Sequence, residues 1–442
     1  MPIGNGLYWD AGAMRIPTNH EITRKYVQQF DELALRPFVM DNPKTFLFAR
    51  GERQTREKES EFRKFFNLKP AEADQSYGSL WDMSVYGLAK GLSSDDRKEL
   101  EFANAFTSAR LIDLDALSLR QLIQSARLSG EPLSDEAIEY ILFGTNNLGI
   151  QHGAATEFLR EELTDVWTKG FSEIVGGTGG LPQAFLRRLD SKPKMGCEVI
   201  RLDQDQSGNL VRAIYKSGGG LGQEEGDFLL CTIPFPLLAR IEAEPAFSTE
   251  KRRAIIELGY DSGTKVAVLA KNRFWETKHG IFGGTSSTDM MTGSIVYPSD
   301  NAPDEKTGRQ SDPSVSSGPG VLLVSYAWGQ DARRLGAMAA SEREEFATAQ
   351  AARLHPELNE PGMIIDRASW AWDTYRWCGG AFALYQPGQF TRMHRYGVQP
   401  EGRIYFAGEH CSLSHSWMQG ALESAEQAVE ALVSNRGIVA PN

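Results

Sequence analysis

From Arg403 to Leu432 the chain reads as one unit. An apolar run (Ile404-Tyr405-Phe406-Ala407) leads into a glycine turn with an acidic tip (Gly408-Glu409), and a helix-forming stretch follows from Gly420 to Leu432. A short buried strand that feeds a helix in this way belongs to an α/β chain. The start of such a helix offers unpaired N–H groups and the positive end of the helix dipole, which suits a phosphate or an electron-rich ring edge. Packing alone also produces strand–turn–helix units, so these residues by themselves leave open whether the turn binds anything.

Size and charge narrow the function classes. At 442 residues the chain can hold two or three domains with full cores. With 47 basic against 58 acidic residues, the net charge of −11 argues against nucleic acid or an anionic membrane as the main partner. Short basic runs such as Lys251-Arg252-Arg253 read as solvated helix faces. Cys197, Cys231, Cys378 and Cys411 are widely spaced, with no CxxC pair and no Cys/His cluster at metal spacing, so neither a metal site nor a disulfide scaffold is expected. No signal peptide, lipidation motif or apolar run near membrane length is visible, which leads us to expect a cytoplasmic protein without membrane contact.

Patterning divides the chain. Leu7 to Pro17 reads as strand and turn, followed by a helix from about Asn19 to Leu33. Lys69 to Thr168 shows apolar residues at helical spacing with cap signals at Ser93-Ser94-Asp95 and Ser134-Asp135-Glu136. A helix is expected from Pro182 to Leu189, and strands at Glu198–Leu202, Val211–Tyr215 and Asp227–Thr232. Strands are expected to dominate from Gly263 to Leu384, at Lys265–Ala270, Ser294–Tyr297, Val321–Ala327 and Gly379–Tyr385. Asp300–Gly318, rich in Asp, Pro, Ser and Gly, reads as a mobile surface loop.

Several segments carry residues with chemical potential. Gly12-Ala13-Met14-Arg15-Ile16-Pro17 sets one arginine in an apolar run before a proline. Such a side chain is either half exposed or buried against an anion, and its fork suits a carboxylate. Lys265 heads a strong strand after Ser262-Gly263-Thr264, a place where most lysines are solvated. Tyr326, in Val324-Ser325-Tyr326-Ala327-Trp328-Gly329, reads on its own as a core tyrosine with a surface hydroxyl. His152, His410 and His415 show no metal spacing and read as local hydrogen-bonding residues.

In this order, from about Tyr8 to Leu432, these segments resemble the flavin-containing amine oxidases of the L-amino-acid oxidase type. The most specific stretch is Gly402-Arg403-Ile404-Tyr405-Phe406-Ala407-Gly408-Glu409 with Trp417 beyond it. The resemblance implies FAD as cofactor, an amino acid or amine as substrate, and oxygen as the second substrate. It implies that Arg15 clamps the substrate carboxylate, that Tyr326 hydrogen-bonds the same group, and that Trp417 walls the pocket. By the same match, Lys265 acts catalytically through a water beside the flavin, assisting proton handling and reoxidation by oxygen. A buried cation there would stabilise negative charge developing on oxygen. Ala381, after Gly379-Gly380, would line a roomy side-chain pocket, with Tyr375 and Trp377 as further aromatic walls. Cofactor contacts are implied for Met14, Arg15, Val199, Gly408, Glu409, Ser416, Trp417 and Met418. No histidine base is carried over, because the flavin accepts the hydride itself.

Two departures stand out. The family places Gly before the tryptophan, and this chain has Ser416. The family also holds the FAD pyrophosphate on a strand–GxGxxG–helix unit, whereas Gly4-Asn5-Gly6, Gly176 to Gly180 and Gly218 to Gly222 all miss that spacing. A separate subunit, a longer version of this chain, or loss of flavin binding would each account for the gap.

The expected fold is an α/β, amine-oxidase-type flavoprotein. It combines an incomplete Rossmann-like FAD domain (171–235 and 401–442), a mixed-sheet substrate domain (1–66 and 236–400) and a helical insertion (67–170). The expected activity is oxidative deamination of an L-amino acid to keto acid, ammonia and hydrogen peroxide, a partner chain being one source of the missing FAD-binding unit; the partners considered are a second subunit or a homodimer. The alternative is a flavin-free, repurposed protein that holds a carboxylate ligand.

Overall fold

A computed structural model describes residues 1–4, 6–205 and 210–435 of the chain. Asn5 of the Gly4–Gly6 run and the last seven residues of the 401–442 segment lie outside the described residues.

The framework is a seven-stranded mixed sheet in the order Ile364–Ala371, Gly263–Ala270, Gly320–Trp328, Ser294–Val296, Thr285–Thr288, Phe46–Ala49, Glu52–Thr55. Its neighbours are antiparallel except where Thr285–Thr288 runs parallel to Phe46–Ala49, with Ser287 opposite Leu47. Gly263–Ala270 is buried along its whole length. Its side chains alternate as the pleat demands: Val266 and Val268 join the core that includes Ala347 and Ala351 of the Ala340–Ala351 helix. Ala267 and Leu269 face Ile3, Trp9 and Phe38 from the start of the chain. The N-terminal stretch is thereby pressed against the far face of the sheet, and Arg15 is carried with it.

Helices fill the interval from Pro70 to Leu163, and serine caps open many of them. Ser76, Ser93, Ser108, Ser118 and Ser134 each accept a first-turn N–H. A two-residue hairpin, Arg127–Leu128 with Glu131–Pro132, is the strand content inserted there. The Ala155–Leu163 helix ends this region against the cavity described below.

The C-terminal unit forms as its sequence indicates. Ile404–Phe406 pairs in parallel with Leu229–Cys231, and the helix runs Met418–Asn435. Among the described residues Leu229–Cys231 pairs on that side alone. A separate four-stranded sheet has the order Gly220–Gly226, Val211–Ser217, Glu198–Gln204, Glu242–Glu244. All four cysteines are free. Among the described residues no helix is long and apolar enough to cross a membrane.

Three local expectations need correction. Only Phe382–Ala383 of the Gly379–Tyr385 run is strand, because Gly379 and Gly380 adopt positive φ values of 72° and 157° and break the extension. Ile364–Ala371, Phe46–Ala49 and Gly220–Gly226 are strands that the pattern did not reveal. Asp300–Gly318 is not simply a free loop, since its ends are tied down. The Asp300 carboxylate accepts from both terminal nitrogens of Arg273 at 2.6 and 2.7 Å, and buried Asn301 and Ser316 both donate to Glu276.

Candidate active site

A three-stranded sheet sets the position of Arg15. Ile16–Pro17 pairs with Phe171–Ile174, Ile16 opposite Ser172, while Leu35–Phe38 pairs on the other edge. The following helix, Glu21–Gln28, is pinned to the start of the Met418–Asn435 helix, where the Thr23 N–H and hydroxyl both donate to Gln419 Oε1 at 3.0 and 3.1 Å. Residues from both ends of the chain therefore meet at one cavity of about 920 Å³, within the size range of small-molecule sites.

Arg15 lines that cavity. Its guanidinium carbon lies 5.1 Å from the Trp167 ring centre, 5.8 Å from Phe171 and 5.9 Å from Trp417. Its Nε is buried with no hydrogen-bond partner, and among the described residues no carboxylate forms an ion pair with it. Burial pulls its pKa down, against the opposing fields of Tyr326, Glu161 and Asp41. Each cation–π contact offers about 0.5–2 kcal/mol, less than the several kcal/mol lost when a charge leaves water. The aromatic cage therefore shapes the cation without satisfying it. The missing partner is an anion.

Glu161 holds the cage in place. Trp417 Nε1 donates to its Oε1 and Trp167 Nε1 to its Oε2, both at 2.8 Å. Burial raises the Glu161 pKa, while the two indole hydrogen bonds lower it in part. One turn earlier on the same helix, Glu157 Oε2 meets His415 Nδ1 at 2.9 Å, and Glu157 Oε1 accepts from Arg160. His20 packs edge-on against Trp417, with ring centres 5.0 Å apart. Burial lowers the pKa of His20 to about 4, leaving a neutral ring at the cavity wall.

The structure gathers Met14, Arg15, Tyr326, Ser416 and Trp417 on this cavity. Lys265 lies just behind it, fully buried rather than solvated. Its Nζ donates to the carbonyls of Asp10 at 3.0 Å and Gly12 at 2.6 Å and sits 4.3 Å above the Tyr326 ring. Burial lowers its pKa to about 7, with Arg15 adding to that shift and Asp10 opposing it.

Glu409 accepts the N–H of Ser416 at 2.8 Å and that of Ala383 at 3.0 Å, joining the C-terminal turn to the Phe382–Ala383 strand. Gly408 is required beside it: its φ is 137°, and a Cβ would stand 2.3 Å from His410 Cε1. Gly408, Glu409, Met418, Val199 and Ala381 are not among the residues that line the cavity, although Phe382, Ala383 and Leu384 are. Tyr375 and Trp377 are exposed, and Tyr375 packs on Trp370 instead. His152 is exposed, and His410 is a core ring against Phe235.

Sequence reasoning missed Glu157, Arg160, Glu161 and Trp167. A signal existed: charges at 157, 160 and 161 recur at helical spacing and share one face. Nothing in the pattern says that this face is the buried one.

The flavin-ring end of an FAD fits what is present, because a half-buried cation without an ion-pair partner among the described residues and two fixed indoles front a cavity large enough for ring and substrate together. Among the described residues there is no glycine-rich strand–turn–helix for the pyrophosphate end.

Comparison with known proteins agrees with this geometry. The family model for flavin containing amine oxidoreductase matches residues 2–433. An L-amino-acid oxidase of Siganus canaliculatus is 30% identical over 435 residues, covering 96% of this chain and 75% of the relative. One from Vipera ammodytes ammodytes is 28% identical, over 95% of this chain and 81% of its own length. Among solved structures, wild-type putrescine oxidase bound to putrescine superposes with a TM-score of 0.72 at 16% identity, over 98% of this chain and 90% of that one. Cyclohexylamine oxidase from Brevibacterium oxydans IH-35A gives 0.66 at 15% identity, over 97% and 88%. The fold is that of an amine-oxidase-type flavoprotein.

Proposed function

This chain belongs to the flavin-containing amine oxidoreductases, enzymes whose cofactor is FAD, and on that premise we propose that it oxidatively deaminates an L-amino acid. The observation that carries the reading is Arg15, a half-buried guanidinium in an aromatic cage with no anion of its own among the described residues. An α-carboxylate supplies the missing charge and takes the planar fork in a two-point contact. The relatives named as L-amino-acid oxidases support the same choice over a simple amine, which has no carboxylate to offer.

In this reading Arg15 binds the carboxylate and the Tyr326 hydroxyl adds a hydrogen bond from the neighbouring wall. Trp417, locked by Glu161, closes the pocket and keeps water from the reacting carbon. Bound FAD supplies the two-electron acceptor that oxidises the amine to an imine and then passes the electrons to oxygen. The imine hydrolyses in water to keto acid and ammonia. Lys265, held against the Asp10 and Gly12 carbonyls, places a cation behind Tyr326 and Met14 for the oxygen-reducing step. The flavin contacts fall to Met14, Arg15, Ser416 and Trp417, with Val199, Gly408, Glu409 and Met418 further along the cofactor. A partner chain would supply the pyrophosphate cradle beside Leu229–Cys231, which among the described residues pairs with Ile404–Phe406 alone.

The test is direct. Purified protein supplied with FAD is expected to be yellow and to release peroxide with L-amino acids and not with the D-enantiomers. A colourless, inactive preparation under those conditions rules the reading out for this chain alone. The lack of a pyrophosphate cradle among the described residues favours one second reading, a flavin-free binder of a carboxylate ligand. That reading requires calorimetric binding of an amino acid without FAD, abolished by Arg15→Ala.

A further inference from the structure

On the opposite face of the large sheet, behind the strands that wall the cavity, His279, His355 and Glu357 converge. One ligand-type atom from each lies within 4.8 Å of the others. His279 follows the short Phe274–Thr277 helix, while His355 and Glu357 stand at the start of the Pro356–Asn359 turn, at least 76 residues further along the chain. Neither the fold's framework nor the oxidase chemistry uses them.

Two atoms in this cluster are unaccounted for. His355 is fully buried, its Nε2 stands 2.6 Å from the Tyr297 hydroxyl, and its Nδ1 has no partner. Glu357 gives Oε1 to His279 Nε2 at 3.1 Å, while its Oε2 is buried and unpartnered. A buried nitrogen and a buried carboxylate oxygen left bare within one cluster each carry an uncompensated desolvation cost. A shared ligand removes both penalties at once.

We propose that His279, His355 and Glu357 form a binding site for a zinc-class transition-metal dication. Two imidazoles and one carboxylate are a zinc donor set, and imidazole disfavours magnesium and calcium. Tetrahedral zinc holds neighbouring ligand atoms about 3.3 Å apart. The His279–Glu357 contact already stands at 3.1 Å, and both side chains are partly exposed, at 22% and 11%, so they can close on the ion. With the metal on Nδ1, His355 would donate its Nε2–H to the Tyr297 hydroxyl 2.6 Å away, the outer-shell contact of a metal-bound histidine.

The charges around the site permit it. Lys278 Nζ is 3.7 Å from Glu357 Oε1 but 2.9 Å from Glu360, which keeps it occupied when the ion binds. The Arg53 guanidinium lies over the Phe46 ring and donates to the Leu354 carbonyl, next to His355, so its charge opposes a cation there and the Glu357 carboxylate has to offset it. Water would complete the ligand set from the partly exposed side of His279. The bound metal braces the sheet: Tyr297 also bonds Ser286, and Val296 and Thr285 beside them line the cavity.

The experiment is calorimetric titration of zinc chloride into full-length protein dialysed against a chelator, with melting curves in parallel. Wild type is expected to take up one equivalent and to melt at a higher temperature with zinc. His279→Gln and Glu357→Gln, both at partly exposed positions, are expected to fold, to lose that equivalent and to show no zinc-dependent rise. The proposal is overturned if wild type takes up no stoichiometric zinc, or if His279→Gln takes it up equally well. Peroxide release by the FAD-loaded variants reports separately on the oxidase reading.

Discussion

The Trp417 indole N–H donates to Glu161 Oε1 at 2.8 Å, bridging 256 residues of chain. Because Glu161 Oε2 holds Trp167 in the same way, one carboxylate fixes two walls of the cage around Arg15. Glu161→Ala is expected to cost about 1–2 kcal/mol of stability, since two half-buried indole donors lose their acceptor. It should also lower kcat/KM by letting Trp417 swing. Glu161→Gln keeps one acceptor and falls between. Urea denaturation and steady-state peroxide assays check this, and equal behaviour of the Ala variant and wild type would refute it.

Arg15→Met separates stability from function. Replacing an unpaired, half-buried cation by an apolar side chain of similar volume is expected to leave the melting temperature unchanged or raise it. Loss of the carboxylate contact should cost about 3 kcal/mol in kcat/KM, on the order of 100-fold. A variant that is less stable and equally active would remove Arg15 from the role of clamp.

The ion pair between His415 and Glu157 makes stability depend on pH. Burial pulls the His415 pKa down, but the charge and hydrogen bond of Glu157 outweigh it and leave the value raised above 6.5. Burial pushes Glu157 up, but His415 and then Arg160 outweigh that and leave it below 4.5. The raised histidine contributes stability that is complete below 6.5 and is lost as pH rises through its folded value. The lowered glutamate contributes above 4.5 and is lost as pH falls through its folded value. Urea midpoints measured across pH should therefore fall on both sides of this window in wild type. Both limbs should be flatter in Glu157→Gln, at a lower overall midpoint.

Lys265 should show its charge in the oxygen half-reaction. Its pKa is pushed down to about 7 by burial, so the ammonium form is lost as pH rises through neutrality. If the cation assists oxygen reduction, the reoxidation rate falls across that range. Lys265→Met should be slower and indifferent to pH, with the reductive half-reaction little changed. Stopped-flow reoxidation over pH distinguishes these outcomes.

Ser416 adopts φ of 66°, left-handed backbone that favours glycine, while its N–H donates to Glu409. Ser416→Gly keeps the hydrogen bond and relieves strain, so it is expected to be neutral or stabilising by up to about 1 kcal/mol. A loss of stability in thermal melts would show that the Ser416 side chain makes a contribution of its own.

Much of the framework was legible because its signals are local. Ser93 and Ser134 cap helices where their spacing said they would, and Gly263–Ala270 is a strand because Val and Ala alternate into two cores. Glu52–Thr55 and Ile364–Ala371 were not legible. Their exposed, polar faces hide the pairing that a neighbouring strand supplies. Asp300–Gly318 looked free because only the fold brings Arg273 and Glu276 to its ends.

By itself the sequence determined the order of the elements, the glycine turn at Gly408, and through resemblance the candidate roles of Arg15, Tyr326 and Trp417. Those features depend on residue type and on neighbours a few positions away. Only the tertiary structure decided that Lys265 is buried, that Arg15 lacks an anion, that Glu161 joins two distant tryptophans, and that His279, His355 and Glu357 meet. Burial and charge pairing are set by which surfaces the fold presses together, and residues dozens to hundreds of positions apart carry no local mark of that contact.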